Sequence, residues 1–400
     1  MRYLIAVAAV FVTLIVRAHS QQVKIDVSGE LTGATVCDGV VYFGSFGGKL
    51  YAVRASDGTT MPGFPVDIAV AVGDGSYPRI RPGVYYGSLG KAVYLETSKH
   101  GVVKVWPDGA VAWINRLDGS SVYFASAAPA VTPQGEVIAE MKTLQNIFLV
   151  KLKETDGTVI CTSPPLSMVP SDYVSPPAVA GGNVYITVVD YPAAGGSKYI
   201  TVLNLADLTV KAAVSGSAYY GSTPYVRGNG IFYGSSGMFG ELVFKLNSVT
   251  LNPDQQFGAG LSPGIPGVTR VTPQGSSPAG AGVFASPVSA DRDPGGTVYA
   301  AIGNNMQGTV VAIDAATGKV RTLYATGNQG GGMVVSTKNV IAYCDGKTLQ
   351  TFGVDGGHYG SFTLPGYPSG PCYDPTTNRF FVTTQPDTTG TSYLLGFDSP

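Results

Sequence analysis

One unit recurs along this chain, and that recurrence constrains the fold more than any other feature. A lead-in of small residues and proline runs into a strand of the "VYxGS" kind. A second apolar strand, a "DG" or "TGK" turn and a third strand follow. The clearest copies are "VVYFGSFGGKLYAVRASDGTT", 40–60, and "GTVYAAIGNNMQGTVVAIDAATGKVRTLYA", 296–325. Four copies lie between these two and two more follow, at a spacing of roughly 40 to 50 residues, the period of a four-stranded propeller blade. Repeats of this length cannot bury their apolar faces alone and must stack on neighbours. The expected fold is therefore an all-β, eight-bladed propeller of four-stranded antiparallel blades. The last copy stops after its third strand at Pro400, while "QQVKIDVSG" precedes the first complete copy. Gln22 to Ser28 is expected to supply the missing outer strand of blade eight, closing the ring and covering an open edge.

Composition agrees. Glycine at 54 of 400 residues is about twice the usual ~7%, and tyrosine at 23 far outnumbers tryptophan at 2. Glycine and proline serve turns, and aromatic and β-branched residues suit pleated strands. Residues 1–20 stand apart: Arg2, an uncharged apolar run from Leu4 to Val16, then Arg17 and Ala18-His19-Ser20. A run this short does not span ~30 Å of hydrocarbon, so it predicts a signal peptide cleaved after Ser20. The expected product is a secreted chain, periplasmic or extracellular, with 21–400 as one domain and no membrane span. Without Arg2 and Arg17, 23 basic residues face 26 acidic ones, a net charge of −3, which argues against a nucleic-acid partner. Residues 252–282, rich in Gly, Pro and Ser, predict an excursion between blades five and six.

The repeats resemble the PQQ-like, or quinoprotein-like, family of propeller repeats. "VVAIDAATGKV", 310–320, matches that family's "lyAlDaxTGkvlW" signature, "LYAVRASDGTT", 50–60, nearly so, and Trp113 falls where a docking tryptophan belongs. Arg321 stands where another such tryptophan would sit. The resemblance covers the whole chain after residue 20. It implies either a non-enzymatic assembly scaffold or an alcohol dehydrogenase holding pyrroloquinoline quinone and calcium against a tryptophan and a disulfide of adjacent cysteines. No adjacent cysteines occur here, and Trp106 and Trp113 both belong to blade two. The scaffold branch is therefore the expectation, with no cofactor and no metal, and a quinoprotein or other sugar- or alcohol-acting enzyme is the alternative. A structural component of a matrix or cell surface is a third reading. No G-x-S-x-G, H-E-x-x-H or phosphate-loop pattern is present.

Candidate ligand-binding residues lie in the lead-ins, which in a propeller share one face around the channel. An aromatic and a serine before proline recur as Tyr173 and Ser175, Tyr220 and Ser222, Tyr367 and Ser369, Phe124 and Ser126, and Phe284 and Ser286. Blade two differs, with Tyr77, Arg79 and Arg81, two guanidiniums suited to an anionic or carbohydrate ligand. Two readings stand: a ring of ligand contacts at the channel mouth, or aromatics wedged between blades with serines closing turns. The partner is expected to be a protein or a glycan, and the chain monomeric. Cys37 and Cys372 fall on neighbouring inner strands two positions apart, a candidate disulfide at the seam. Cys161 and Cys344 are expected as buried thiols.

Overall fold

The computed structural model describes residues 21–73, 83–87, 90–99, 101–117, 128–132, 134–167, 173–189, 198–215, 220–221, 223–237, 240–261, 268–270, 296–303, 308–326 and 330–400. They form the expected eight-bladed ring. Blade one is typical, with Leu31–Cys37, Val40–Ser45, Lys49–Arg54 and Val66–Asp67 paired in that order, antiparallel, from the axis outwards. Blade eight is built from Cys372–Asp374, Arg379–Thr383 and Thr391–Asp398, and its outer strand is Gln21–Ser28. Ring closure by the N-terminal strand is thus observed in register, with Val27 opposite Ser392 and Ile25 opposite Leu394.

The second strand of a blade is buried on both faces, which explains its near-continuous apolar run. In Val40–Ser45, Val41 and Phe43 pack towards blade eight, while Val40 and Tyr42 pack towards blade two. That is the two-residue alternation of a strand applied to two different neighbours. A separate apolar cluster fills each of the eight junctions between blades. The 252–282 segment differs from expectation. Val268–Arg270 pairs with Leu242 to Phe244 as the outer strand of blade five, and Phe257 is fully buried against Phe232 at the junction with blade six.

The alternating connections give the ring two unlike faces. One carries the hairpins joining first to second strands and the turns joining third to fourth; here it is the turn face. The other carries the second-to-third hairpins and the links between blades; here it is the hairpin face. On the turn face, side chains of several blades reach into the turn of the next. Trp113, on the outer strand Val111–Asn115 of blade two, donates from Nε1 to the Glu154 carbonyl at 2.8 Å. Its ring covers Gly157, whose φ of 71° and lack of a side chain are both needed, since a Cβ there would come within 2.5 Å of the ring. This is the docking position implied by the repeat resemblance. Where Arg321 replaces tryptophan, its guanidinium instead donates to the Asp355 and Val354 carbonyls of blade seven at 2.9 and 3.0 Å.

Three lysines repeat the device at one position of the third strand. Lys104 donates to the Glu154 carbonyl at 3.2 Å, Lys151 to Leu205 and Ala206 at 3.2 and 2.9 Å, and Lys245 to Ala315 at 2.7 Å. Each also meets a carboxylate: Glu154 at 3.5 Å, Glu136 at 3.2 Å and Asp254 at 2.7 Å respectively. Lys104 is fully buried, and desolvation pulls its ammonium below the ordinary lysine pKa while Glu154 pulls it back. At the closure, Arg379 of blade eight binds the Ala55 and Ser56 carbonyls of blade one.

Candidate functional site

The lead-ins pair with the second strand of their own blade in three cases. Tyr173–Val174 pairs with Val188–Val189 in blade four, Tyr220–Gly221 pairs with Ser235 and Ser236 in blade five, and Pro368 bridges Thr384 in blade eight. Each lead-in therefore runs alongside the far end of the second strand, on the hairpin face. Tyr77, Arg79, Arg81, Phe124, Ser126, Ser222, Phe284 and Ser286 lie outside the described residues.

The serines with described side chains do not present ligand contacts. Ser175 is fully buried; its hydroxyl accepts the Thr187 N–H at 3.0 Å and donates to the Pro176 carbonyl at 3.2 Å. Ser369 shares a 2.6 Å hydrogen bond with the Thr383 hydroxyl, and Thr32 of blade one accepts the Gly44 N–H at 2.9 Å. The same hydroxyl position thus ties three first strands to their second strands. Ser175, which is buried, spends both its accepting and its donating capacity within its own blade.

Tyr367 behaves differently. It is 58% exposed, with the Lys347 ammonium 5.0 Å from its ring centroid. It shares the hairpin face with Phe46 in the blade-one hairpin, Leu144 in the blade-three hairpin and Val70 in the link after blade one, which are 38%, 59% and 75% exposed. Val70 belongs to the short helix Ile68–Val72, capped by the Asp67 carboxylate and packed on the blade-one hairpin at Gly48.

The turn face carries polar groups instead, and they close its own turns. Asp57, Asp156 and Asp207 each accept the N–H two residues on, at 2.9, 3.0 and 3.0 Å. Side-chain and backbone hydrogen bonds from Thr59, Thr158 and Thr209 hold these carboxyls below the ordinary aspartate range. An open hollow of about 490 Å³ lies beside the blade-five turn, lined by Asn247, Thr250, Asn252 and Gln255 among others.

The seam disulfide is not formed: all four cysteines are thiols. Cys37 pairs with Val40 at the hairpin end, whereas Cys372 pairs with Phe381 two positions up from the Asp374–Arg379 hairpin end. That offset alone is ~7 Å along a strand, which exhausts the usual reach of a bridge between Cα atoms. Burial pushes the Cys37 thiol up. Cys344 is buried as expected, while Cys161 is half-buried on the outer strand of blade three.

Sequence reasoning missed a buried charged group beneath the hairpin face. Glu96 and Glu140 occupy the same position on the second strands of blades two and three, with Glu96 opposite Val102 and Glu140 opposite Leu149. Both are essentially fully buried, and Lys142 holds Glu140 at 3.1 Å. The signal was available in the aligned copies "VYLE" and "VIAE", where a carboxylate ends an apolar strand. Among the described residues, no group of three His, Cys, Asp or Glu side chains is placed to hold a metal ion, and no helix is long and apolar enough to cross a membrane.

No family model matches the chain, and no curated protein matches it in sequence. Solved structures do match in shape. The Dos1 propeller superposes with a TM-score of 0.67 at 10% identity, covering 95% of each chain. A quinohemoprotein alcohol dehydrogenase from Comamonas testosteroni gives 0.66 at 12% identity, over 95% of this chain and 77% of that one. The C-terminal WD40 domain of Sif2 gives 0.64 at 11%, over 96% and 98%. At such identities the likeness is one of fold. It places a quinoprotein-type propeller among the matching architectures, together with propellers of other kinds.

Proposed function

We propose that this chain is an exported, non-enzymatic binding propeller whose hairpin face meets a protein or glycan partner. The contrast between the two faces carries this reading. Turn-face polar groups are consumed in closing turns and joining blades, with Val249 exposed in the blade-five turn, whereas the hairpin face leaves four large side chains, Phe46, Val70, Leu144 and Tyr367, in water. Exposed apolar and aromatic side chains rimmed by polar groups are the usual mark of an interaction surface. The aligned repeats put Arg79 and Arg81 in a lead-in, the kind of segment that runs on this face in blades four, five and eight.

The test compares faces. The immobilised protein is presented to extract from its source, beside a hairpin-face variant (Phe46→Ser with Leu144→Ser) and a turn-face variant (Val249→Ser). Selective loss on the hairpin-face variant supports the reading, and equal capture by all three overturns it. Replacing Arg79 and Arg81 together by Ala should weaken binding about tenfold, ~1.4 kcal/mol. Dye reduction after addition of pyrroloquinoline quinone and calcium would replace this reading with the enzymatic one.

A further inference from the structure

Tyr367 stands out of the hairpin face on a backbone that is held at several points. The Gln385 N–H donates to the Tyr367 carbonyl at 2.7 Å, the Ser369 N–H to Thr383 at 2.8 Å, and the Leu364 N–H to Lys347 at 2.8 Å. Gly366 lies so close to the Gln385 carbonyl that a Cβ would collide with it. The ring is therefore presented by a clamp, and little ordering remains to be done when something stacks on it.

Two further groups border the ring. Lys347 is exposed, and among the described residues its ammonium forms no ion pair with a carboxylate; its recorded contact is the Tyr367 ring. Gln385 is exposed too, and its backbone is bonded directly to that of Tyr367. An exposed aromatic ring and a cation with no ion pair among the described residues thus lie together, with Gln385 exposed on the segment bonded to the Tyr367 backbone.

A partner's apolar side chain gains little from one ring without a pocket. A pyranose, by contrast, offers a flat C–H face to the ring and hydroxyls to an amide. A uronic acid adds a carboxylate for the ammonium. We propose that Tyr367, Lys347 and Gln385 form a subsite for a uronic acid residue of an acidic glycan. The assignment rests on the reading that the hairpin face is the binding face, and it deepens that reading by naming the ligand class.

The full chain is titrated calorimetrically at low salt with tetragalacturonate and with a neutral tetrasaccharide of equal length. Tetragalacturonate is expected to bind more tightly. Lys347→Gln should reduce that preference about threefold to fivefold. Tyr367→Ala should weaken both sugars about threefold to tenfold. Because both side chains are exposed, melting should not change. No preference for the acidic sugar, or undiminished binding by both variants, overturns the subsite. If the uronide fails to bind while the hairpin-face variant still loses partner capture, the sugar assignment falls and the face reading stands. If Phe46→Ser weakens uronide binding and Tyr367→Ala does not, the subsite is misplaced and the proposal is likewise overturned.

Discussion

The turn face and the hairpin face of this ring come from the same eight repeats, yet they use their side chains for different ends. On the turn face, Lys104, Lys151, Lys245, Arg321 and Arg379 each bind backbone carbonyls of the next blade's turn, and aspartates close the turns themselves. On the hairpin face, the described hydroxyls of Ser175, Ser369 and Thr32 are satisfied internally, but the large side chains of the hairpins and links are exposed. One face holds the ring together. The other leaves large side chains facing water, as befits loops carried by a rigid scaffold.

The comparison can be broken most directly at Lys104. Its ammonium and Glu154 are buried together, and removing one member of such a pair typically costs about 3–5 kcal/mol. Lys104→Ala should therefore lower unfolding free energy by that amount in chemical denaturation, without altering ligand binding at the hairpin face. A loss below about 1 kcal/mol would end the account of the lysines as blade-to-blade ties. A smaller effect is expected at Arg321, which is exposed and bonded to two carbonyls. Arg321→Ala should cost about 1 kcal/mol, and Arg321→Trp should recover it if the position is a docking site that accepts either chemistry. On the hairpin face, Phe46→Ser, Val70→Ser and Leu144→Ser should each shift stability by no more than about 0.5 kcal/mol. Larger losses would make these residues part of the core rather than of a surface.

The smallest effect sharpens the contrast through pH. Asp57, Asp156 and Asp207 have folded-state values below their unfolded ones. The stability they lend is thus fully present above the unfolded carboxylate pKa of about 4 and is lost as pH falls through their lower folded values. Changing all three to Asn should flatten the acid limb of a stability-versus-pH profile by lowering stability at neutral pH, while leaving it nearly unaltered at pH values below the folded-state pKa. An unchanged acid limb would show that these turn bonds hold no weight.

Much of the ring was legible because a repeat writes its architecture eight times. The strand Gln22 to Ser28 could be assigned to blade eight because the last copy, ending at Pro400, lacked a partner for its third strand. Phe257 and Val268–Arg270 were hidden because their spacing departs from the other copies, so an inserted wedge and an outer strand read as a Gly- and Pro-rich excursion. The serines were ambiguous for a chemical reason: a hydroxyl before proline suits a ligand and a turn equally, and only the Thr187 and Thr383 partners decide between them. The lysines at 104, 151 and 245 occupy one aligned column, but a strand lysine ordinarily reads as a solvated side chain. Its reach into the next blade belongs to three dimensions, not to the repeat.

Val27 pairs with Ser392, so a strand made early in synthesis is completed by residues made much later. Every other four-stranded sheet draws its strands from one stretch of sequence and can assemble as it emerges. Blade eight must wait, with Gln21–Ser28 held available until Thr391–Asp398 arrives. Pairings between distant parts of a chain form slowly and leave edges exposed in the meantime. Closure is therefore expected to be the last and slowest event in folding, and the interval before it the time when a newly made ring is most open to pairing with another copy of itself.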